Sequence, residues 1–337
     1  MTSPAPSTAG TPGTATAPGA FERLEAGDPA ALARALTVLE TGGPEADALR
    51  RRLHALVGSA TVVGFTGPPG VGKSTLVNAY VEALRRRERS VAVLAVDPSS
   101  PLSGGAVLGD RTRMGQHTPD PGVFVRSIAS RGHVGGLALA VPAMLDAVDV
   151  AGFDDIVVEA VGAGQSEVEI SRFADVTVVV NAPGLGDDVQ AIKAGILEVA
   201  DVLVVNKGDL PHADQTAEQL RSMLRLRSTE CLPPVLTVSA TERHGIDELV
   251  GAVDAAVGAR GEPGAGPQRR ATELLRQAAL TEVERRLTGD ALGELGAAVH
   301  RGEISLGAAT EALLVRCAGI DIGRTDDDTE REPTGGS

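Results

Sequence analysis

The stretch GFTGPPGVGKSTLVNAY, from Gly64 to Tyr80, decides the fold of this chain. It begins at the end of an apolar, β-branched run and finishes in a helical pattern, and Gly67 to Ser74 match the spacing G-x-x-x-x-G-K-[ST]. Small residues between a strand and a helix let backbone N–H groups turn inward around a phosphate, and the helix N-terminus adds partial positive charge. The stretch therefore predicts a phosphate-binding loop.

The residues of this loop have distinct expected roles. Lys73 is expected to reach the β- and γ-phosphate oxygens, and the hydroxyl of Ser74 is expected to bind Mg²⁺. The alternative is a glycine-rich turn with a surface lysine, which the flanking strand, the helix and the downstream motifs disfavour. The residues predicted to contact the nucleotide here are Gly67, Pro68, Pro69, Gly70, Val71, Gly72, Lys73, Ser74 and Thr75.

Charge and composition exclude several classes of partner. The chain has 31 basic and 45 acidic residues, a net charge of -14, and no basic stripe interleaved with aromatic residues. Nucleic acid and anionic membranes are therefore not expected to bind. Cys231 and Cys317 form no Cys/His metal pattern, so the protein is expected to be cytoplasmic and without disulfides. No apolar run approaches the roughly twenty residues of a transmembrane helix.

Between residues 59 and 258, seven short β-rich runs alternate with helical stretches. The runs are TVVGF, SVAVLAVD, GVFVRSI, DIVVEAV, VTVVVNAP, VLVVNKGD and VLTVSA. Because these runs are apolar on both faces and are separated by helices, they predict a mainly parallel sheet covered by helices on both sides. The predicted fold class is α/β, a P-loop GTPase domain with helical extensions before and after it.

The region before this domain is predicted to be a helical extension, residues 21–58. Its two helical segments are separated at Gly42-Gly43-Pro44. Asp28 precedes a proline at the expected start of the first segment, which is the position of a helix N-cap. The sequence therefore predicts at least two helices before the first strand.

The region after the domain, residues 259–320, is also predicted to be helical. It follows the linker GARGEPGAGPQ and contains amphipathic patterns such as RRATELLRQAALTEVERRL. Such a region can cap the sheet or serve as a dimerisation arm. Residues 1–20 and 321–337 are predicted to be disordered tails, because they are rich in Pro, Thr and Gly or in charge.

A second motif, NKGD, bears on which base is bound. It has the form N-K-x-D and ends a late apolar strand. The carboxylate of Asp209 can accept hydrogen bonds from N1–H and the exocyclic amine of guanine, whereas adenine has no matching pair of donors. Asn206 is expected to support the loop, the stem of Lys207 to lie against the base, and the backbone of Ser239 and Ala240 to contact the guanine oxygen. These features favour GTP over ATP.

Three acidic residues are candidates for the metal site. Asp97 and Glu159 end predicted strands, and Asp110 lies in LGDRTRM. Carboxylates at the carboxyl ends of parallel strands face the crevice where ligands bind. The N–H of Gly162 can sense the γ-phosphate, three residues after Glu159. The alternative for each acid is a helix cap or a solvated turn.

Several stretches together resemble one family. GPPGVGKST, LAVDPSSPLSGGAVLGDRTRM, SRGHVGG, VEAVGAGQSEVEI, NAPGLGDDVQAIKAGILEVADVLVVNKGD and VSA resemble, in order and spacing, the MeaB/ArgK GTPases, whose human counterpart is the methylmalonic aciduria type A protein. The resemblance extends from residue 28 to residue 316. It implies a homodimeric, Mg²⁺-dependent GTPase that uses GTP and GDP. Such a protein gates cofactor loading and protects or reactivates an adenosylcobalamin-dependent acyl-CoA mutase.

The resemblance also implies residue roles. Lys73 and Ser74 match the phosphate and Mg²⁺ residues, and Asp97, Asp110 and Glu159 match metal-site carboxylates. By the same resemblance, Asp110 orients or deprotonates the attacking water, and the C-terminal helices favour a dimerisation arm.

Two further residues are weaker candidates for catalysis. Gln165 resembles a water-positioning glutamine, although its offset from Gly162 differs from the Ras pattern. Lys193, in GLGDDVQAIK, resembles a lysine that supports stimulated hydrolysis; the alternative is a solvated helix residue. Departures from the family pattern at Ala160, Ala163 and VRSIAS leave the client open among methylmalonyl-, isobutyryl- and ethylmalonyl-CoA mutases.

Two other functions fit a P-loop domain less well. A nickel-inserting GTPase needs a His-rich tract or a Cys/His pair, and six scattered histidines do not supply one. A small-molecule kinase needs an acceptor pocket and usually an Arg-rich lid, for which RTRM is the only weak candidate, and the NKGD motif disfavours ATP.

Overall fold

The computed structural model describes nine stretches of the chain, and these fall into two compact units, one ending at Leu274 and the other beginning at Leu275. The described residues are 19–58, 60–98, 120–130, 136–160, 166–184, 197–226, 232–259, 265–287 and 290–317. The two predicted tails lie outside them except for residues 19 and 20.

A seven-stranded parallel sheet forms the centre of the first unit. Its strand order is β3-β2-β4-β1-β5-β6-β7, and each pair of neighbours is parallel. Each predicted β-rich run forms one strand, so the predicted parallel sheet is confirmed. The strands are β1 Thr61–Thr66, β2 Val91–Pro98, β3 Val123–Ser130, β4 Asp155–Ala160, β5 Val176–Asn181, β6 Val202–Val205 and β7 Val235–Thr237.

Helices lie between the strands of four of the six consecutive pairs within the described residues, as crossover connections of a parallel sheet. The helices of these residues are α1 Ala20–Glu25, α2 Pro29–Thr41, α3 Pro44–His54, α4 Lys73–Arg86, α5 Gly136–Val150, α6 Ser166–Phe173, α7 Ala213–Arg225, α8 Ile246–Ala259, α9 Ala265–Arg286, α10 Asp290–His300 and α11 Leu306–Cys317. Among them, no helix has both the length and the hydropathy that a membrane span needs.

Both faces of the sheet are buried, because successive strand residues point to opposite sides. In β1, Val62 packs in one hydrophobic cluster with α5 and the N-terminal helices, whereas Val63 packs in another with α4 and α8. Both side chains are fully buried. This explains why the strands read as continuous apolar runs instead of alternating ones.

The N-terminal extension forms helices α1 to α3, which pack against α5. The side chain of Asp28 accepts hydrogen bonds from the N–H groups of Ala30 and Ala31 at 2.8 and 3.2 Å, with Pro29 at the first helical position. Helix α2 ends at Gly42, whose φ of 76° belongs to the left-handed region that glycine tolerates. The predicted N-cap and helix break are confirmed.

The amino-terminal edge of the sheet holds a buried ionic cluster, defined by Arg270, Asp146, Asp149 and Asp175. The guanidinium of Arg270 lies 3.5 Å from Asp146, 3.8 Å from Asp149 and 3.9 Å from Asp175. Arg270 is only 1% exposed. The cluster joins the start of α9 to the end of α5 and to the residue before β5.

The carboxylates of this cluster also fix the chain that enters β1. Asp149 accepts hydrogen bonds from the N–H groups of Gly58 and Ala60 at 3.1 and 3.2 Å, and Asp175 accepts one from Val62 at 2.9 Å. Three ionic contacts and three hydrogen bonds from backbone N–H groups therefore converge at the amino-terminal edge of the sheet, opposite the edge that carries the glycine-rich loop.

The second unit begins within α9 and contains α10 and α11, which pack against each other. Arg316 of α11 lies 3.5 Å from Glu294 of α10. Several leucines of the second unit keep half or more of their surface exposed. These exposed leucines are Leu275, Leu292, Leu306 and Leu314.

Candidate nucleotide-binding site

The glycine-rich loop connects β1 to α4 at the carboxyl edge of the sheet. Gly67 has a φ of 142°, and a Cβ at this position would overlap the carbonyl oxygen of Val180 in β5. Gly72 has a φ of 88°, and a Cβ there would lie 2.7 Å from the amide nitrogen of Asn206. The glycines at both ends of the loop are therefore required by backbone conformation and by close approach.

Lys73 is the first residue of α4, and its side chain folds back into the loop. Its Nζ donates hydrogen bonds to the carbonyl oxygens of Gly67 at 2.6 Å and Pro68 at 2.9 Å. The residue is only 7% exposed. A buried ammonium needs acceptors, and phosphate oxygens are stronger acceptors than these neutral carbonyls. The loop therefore holds its cation where a bound phosphate can compete for it.

Glu159 is brought beside the loop by strand order. Strand β4 pairs with β1, with Glu159 opposite Phe65, two residues before the loop begins. The Ser74 hydroxyl donates to Oε1 of Glu159 at 2.6 Å, and Glu159 is 1% exposed. A hydroxyl and a carboxylate oxygen are ligands of the kind that Mg²⁺ takes in nucleotide sites. The pair fits a magnesium ion.

The other predicted residues near the phosphates fall outside what the structure describes. Asp97 is the next to last residue of β2 and its backbone pairs with Ala129 of β3, but its side chain is not among the described ones. The residues that lie wholly outside the described ranges are Asp110, Gly162, Gln165 and Lys193. Their roles stay predictions.

Asn206 connects three segments at the end of β6. Its Nδ2 donates to the carbonyl oxygen of Val71 at 2.9 Å, and its Oδ1 accepts from the N–H of Ala240 at 3.2 Å. The side chain is buried, with 2% exposed. It therefore ties the phosphate loop to both segments predicted to contact the base, as expected for a residue that supports the loop.

Asp209 lies exposed at the surface and accepts a hydrogen bond from the Ser239 hydroxyl at 2.5 Å. This hydrogen bond is the main reason that the pKa of Asp209 lies below its ordinary value. The carboxyl group is therefore ionised at neutral pH and can accept two donors from a ligand.

Lys207 joins the same region to the phosphate loop. Its φ of 59° turns the chain, and its Nζ donates to the carbonyl oxygen of Gly70 at 2.8 Å. The phosphate loop and the NKGD segment therefore form one connected surface.

Gly208 occupies the x position of N-K-x-D, and the fold gives it a role that the motif does not indicate. Its N–H donates to the carbonyl oxygen of Val238 at 2.8 Å. A Cβ on Gly208 would lie 3.0 Å from that oxygen and 2.9 Å from the Cγ2 of Thr237. Glycine therefore permits the close approach of the NKGD segment to the segment after β7.

The structure brings the described candidates together in two groups. Lys73, Ser74 and Glu159 surround the phosphate loop, while Asp209 and Ser239 lie at the carboxyl ends of the neighbouring strands β6 and β7. Asn206 and Lys207 link the groups. A phosphate group and a base can thus be held by one edge of the sheet.

A separate cavity of about 630 Å³ opens at the amino-terminal edge. It is lined by the entry to β1, at Ala60 and Thr61, and by Arg89, Phe153 and Asp154. It contains none of the residues of the phosphate loop or of the NKGD segment. The candidate nucleotide site therefore lies at the opposite edge of the sheet.

Comparison with known proteins assigns the chain to a family. A family model described as "Methylmalonyl Co-A mutase-associated GTPase MeaB" matches residues 32–291. The chain is 39% identical to the GTPase ArgK of Escherichia coli K12 over 276 residues, which cover 78% of this chain and 83% of that protein. It is 35% identical over 249 residues to the mitochondrial methylmalonic aciduria type A homolog of Mus musculus, covering 68% of this chain and 60% of the mouse protein.

A solved structure supports the same assignment. The crystal structure titled LAO/AO transport system kinase superposes with a TM-score of 0.69 at 29% sequence identity. The match covers 89% of this chain and 96% of that one. The sheet, the phosphate loop and these similarities agree. The chain therefore belongs to the MeaB family of methylmalonyl-CoA mutase-associated GTPases, and it is an enzyme that binds guanine nucleotides and hydrolyses GTP.

Proposed function

We propose that this GTPase is a chaperone of an adenosylcobalamin-dependent acyl-CoA mutase of the methylmalonyl-CoA mutase type. In this proposal it gates cofactor loading and protects or reactivates the mutase. The observation that carries the proposal is the match of residues 32–291 to a family whose description names that mutase. The similarity to the mouse methylmalonic aciduria type A homolog supports it.

Guanine selection is assigned to Asp209. Its lowered pKa keeps two carboxylate oxygens available as acceptors, and the Ser239 hydroxyl holds one of them at 2.5 Å. Guanine presents N1–H and an amine to such a carboxylate, whereas adenine leaves it without matched donors. The backbone N–H of Ala240, the residue after Ser239, donates to Oδ1 of Asn206.

Phosphate binding is assigned to the loop and to Lys73. The ammonium group would exchange the carbonyl oxygens of Gly67 and Pro68 for β- and γ-phosphate oxygens, with little movement of α4. Ser74 and Glu159 would hold Mg²⁺, which neutralises charge on the phosphates when it is bound.

Three catalytic assignments rest on the family resemblance alone. Asp110 is assigned to orient the attacking water, with Gln165 as the second candidate and Lys193 as a residue that supports stimulated hydrolysis. Asp97 and Asp110 complete the carboxylates around the metal, and the N–H of Gly162 contacts the γ-phosphate.

Dimerisation is assigned to residues 259–320. Within this region the exposed leucines of the second unit supply apolar surface of the kind that contacts between subunits bury. The homodimer is part of the proposal, and so is a cytoplasmic location.

The base assignment is tested with Asp209→Asn. An amide cannot accept both guanine donors, so we expect GTP affinity to fall at least about 100-fold, while affinity for xanthosine triphosphate rises. Asp214→Asn, on the exposed first turn of α7, is the matched control and should bind GTP normally. An unchanged purine preference in Asp209→Asn would contradict the assignment.

The chaperone function is tested by measuring GTP turnover with purified methylmalonyl-, isobutyryl- and ethylmalonyl-CoA mutases added singly. We expect a several-fold rise with one mutase, because the groups that stabilise the transition state are ordered by the partner. No rise with any of them would reject the chaperone role. Transfer of phosphate from ATP to a metabolite would favour a kinase.

A further inference from the structure

The loop of residues 238–245, here called the base loop, is closed on itself. The N–H of Ser239 donates to the carbonyl oxygen of His244 at 3.0 Å, and the N–H of His244 donates back at 3.1 Å. Arg243, one residue before this closing pair, has a φ of 58° in the left-handed region. The turn therefore fixes the direction in which the side chain of Arg243 leaves the loop.

The same loop carries the partners of the base-site residues. The Ser239 hydroxyl donates to Asp209, and the N–H of Ala240 donates to Asn206. The N–H of Glu242 in turn donates to the Ser239 hydroxyl at 3.3 Å. A displacement of the loop would therefore move the hydroxyl that orients the Asp209 carboxylate.

Arg243 forms an ion pair with Glu82 of α4, the helix that begins with Lys73 and Ser74. Both guanidinium Nη atoms face the two carboxylate oxygens, so the pair is bidentate. The side chain of Glu82 is 22% exposed, and that of Arg243 is 52% exposed. A bidentate arginine–carboxylate pair gives more geometric restraint than an ordinary surface pair.

We propose that the ion pair between Arg243 and Glu82 positions the base loop against helix α4 and thereby sets how long a guanine nucleotide stays bound. The proposal rests on the role proposed above for Asp209. Arg243 touches no nucleotide group in this scheme; it acts through Ser239 and Asp209. The ion pair joins the base loop to helix α4, which begins at the phosphate loop.

A second ion pair made by helix α4, this time with helix α8, provides a matched control. Arg86 of α4 lies 3.0 Å from Asp247 in the first turn of α8. Both of its side chains are exposed, and neither belongs to the base loop. If the Arg243–Glu82 pair only held α4 against the part of the chain that follows β7, removal of either pair would have the same effect.

The test measures dissociation of a fluorescent GDP analogue from full-length wild type, Arg243→Ala, Glu82→Ala and Arg86→Ala. We expect Arg243→Ala and Glu82→Ala to release the analogue about three- to fivefold faster, and Arg86→Ala to match wild type. The exchanged pair, Arg243→Glu with Glu82→Arg, should recover most of the wild-type rate. If the substitutions acted only by lowering stability, the melting temperature would fall and the exchanged pair would not restore the dissociation rate.

The preference for GTP over inosine triphosphate distinguishes a failure of this inference from a failure of the Asp209 assignment. Inosine triphosphate lacks the exocyclic amine, so a misplaced Asp209 should lower the preference for GTP over inosine triphosphate in Arg243→Ala. If Arg243→Ala releases the analogue at the wild-type rate, or if Arg86→Ala accelerates release equally, the inference is overturned. If Asp209→Asn keeps its guanine preference, the assignment of Asp209 fails as well.

Discussion

The two edges of the sheet handle charge in opposite ways. At the carboxyl edge, Lys73 is held by two carbonyl oxygens and Asp209 by one hydroxyl, which are neutral partners that a ligand can replace. At the amino-terminal edge, Arg270 is buried among three aspartates. The difference teaches that one edge keeps its charges available for a ligand and the other uses them permanently to join elements.

The pKa directions of these carboxylates follow their burial. Burial raises the pKa of Asp146 and Asp149, and it raises the pKa of Asp155 to about 7 against the attraction of Arg89. At the other edge, the Ser239 hydroxyl lowers the pKa of Asp209. Among these four carboxylates, only the exposed Asp209 has its charged form favoured.

The largest expected effect is on stability, from Arg270→Ala. Removing one partner of a buried ionic cluster leaves uncompensated charge, so the free energy of unfolding should fall by about 3–5 kcal/mol. The neighbouring Arg269, whose side chain is 41% exposed, also contacts Asp175, and Arg269→Ala should cost about 1 kcal/mol. Denaturant unfolding measures both variants. Equal losses would show that burial does not distinguish the two arginines.

Removal of the Lys73 ammonium group should lower GTP hydrolysis and have little effect on stability. Lys73→Ala removes a charge aimed at the transferred phosphate, and GTP hydrolysis should fall at least about 100-fold. Because the two hydrogen bonds of the ammonium to Gly67 and Pro68 have neutral acceptors, the free energy of unfolding without nucleotide should stay within about 1 kcal/mol of wild type. Steady-state turnover and denaturant unfolding test this together. A stability loss as large as that of Arg270→Ala would contradict the proposed contrast between the edges.

The smallest effect is a change in pH dependence, from Asp155→Asn. Because the folded-state pKa of Asp155 is about 7, above the ordinary 3.8, the folded protein binds this proton more tightly than the unfolded chain. Its contribution to stability is present below pH 3.8 and is lost as the pH rises through about 7. Asp155→Asn should therefore flatten the loss of stability between about pH 5 and pH 7 by about 2 kcal/mol.

Asp154→Asn is the control for this pH experiment. The pKa of Asp154 is lowered, mainly by the backbone N–H of Ser90, so its titration lies below the tested range. The slope between about pH 5 and pH 7 should be unchanged in this variant. Melting temperatures recorded across that range decide the question, and an unaltered slope in Asp155→Asn would refute the assignment.

Local patterns predicted the parts of the molecule that local physics controls. The seven apolar runs all became strands, and Asp28 caps the helix that it was expected to cap. The phosphate loop and the NKGD segment were found from spacing, because a backbone that wraps around a phosphate needs glycines at fixed intervals. Glu159 was predicted as a metal ligand from its place at the end of a strand. The pairing of β4 with β1 brings its carboxylate within hydrogen-bonding distance of the Ser74 hydroxyl.

Pairings over long distances in the chain could not be predicted in the same way. Nothing in the sequence distinguishes Arg269 from Arg270, yet only Arg270 is fully buried. Arg243 and Glu82 are 161 residues apart, and their contact depends on how α4 packs against α8, the helix that follows the base loop. The motif N-K-x-D sets no requirement at Gly208, whereas in the fold a Cβ there would lie 3.0 Å from the carbonyl oxygen of Val238.

The sequence by itself determined the strands, the helix caps and the phosphate-loop geometry, because hydrophobic periodicity and glycine conformation act within a few residues. Only the tertiary structure decided which charged side chains are buried in ion pairs and which have neutral partners that a ligand can replace. The reason is that burial and electrostatic partners depend on the packing of elements distant in sequence, and the dielectric environment of a charge is set by those neighbours.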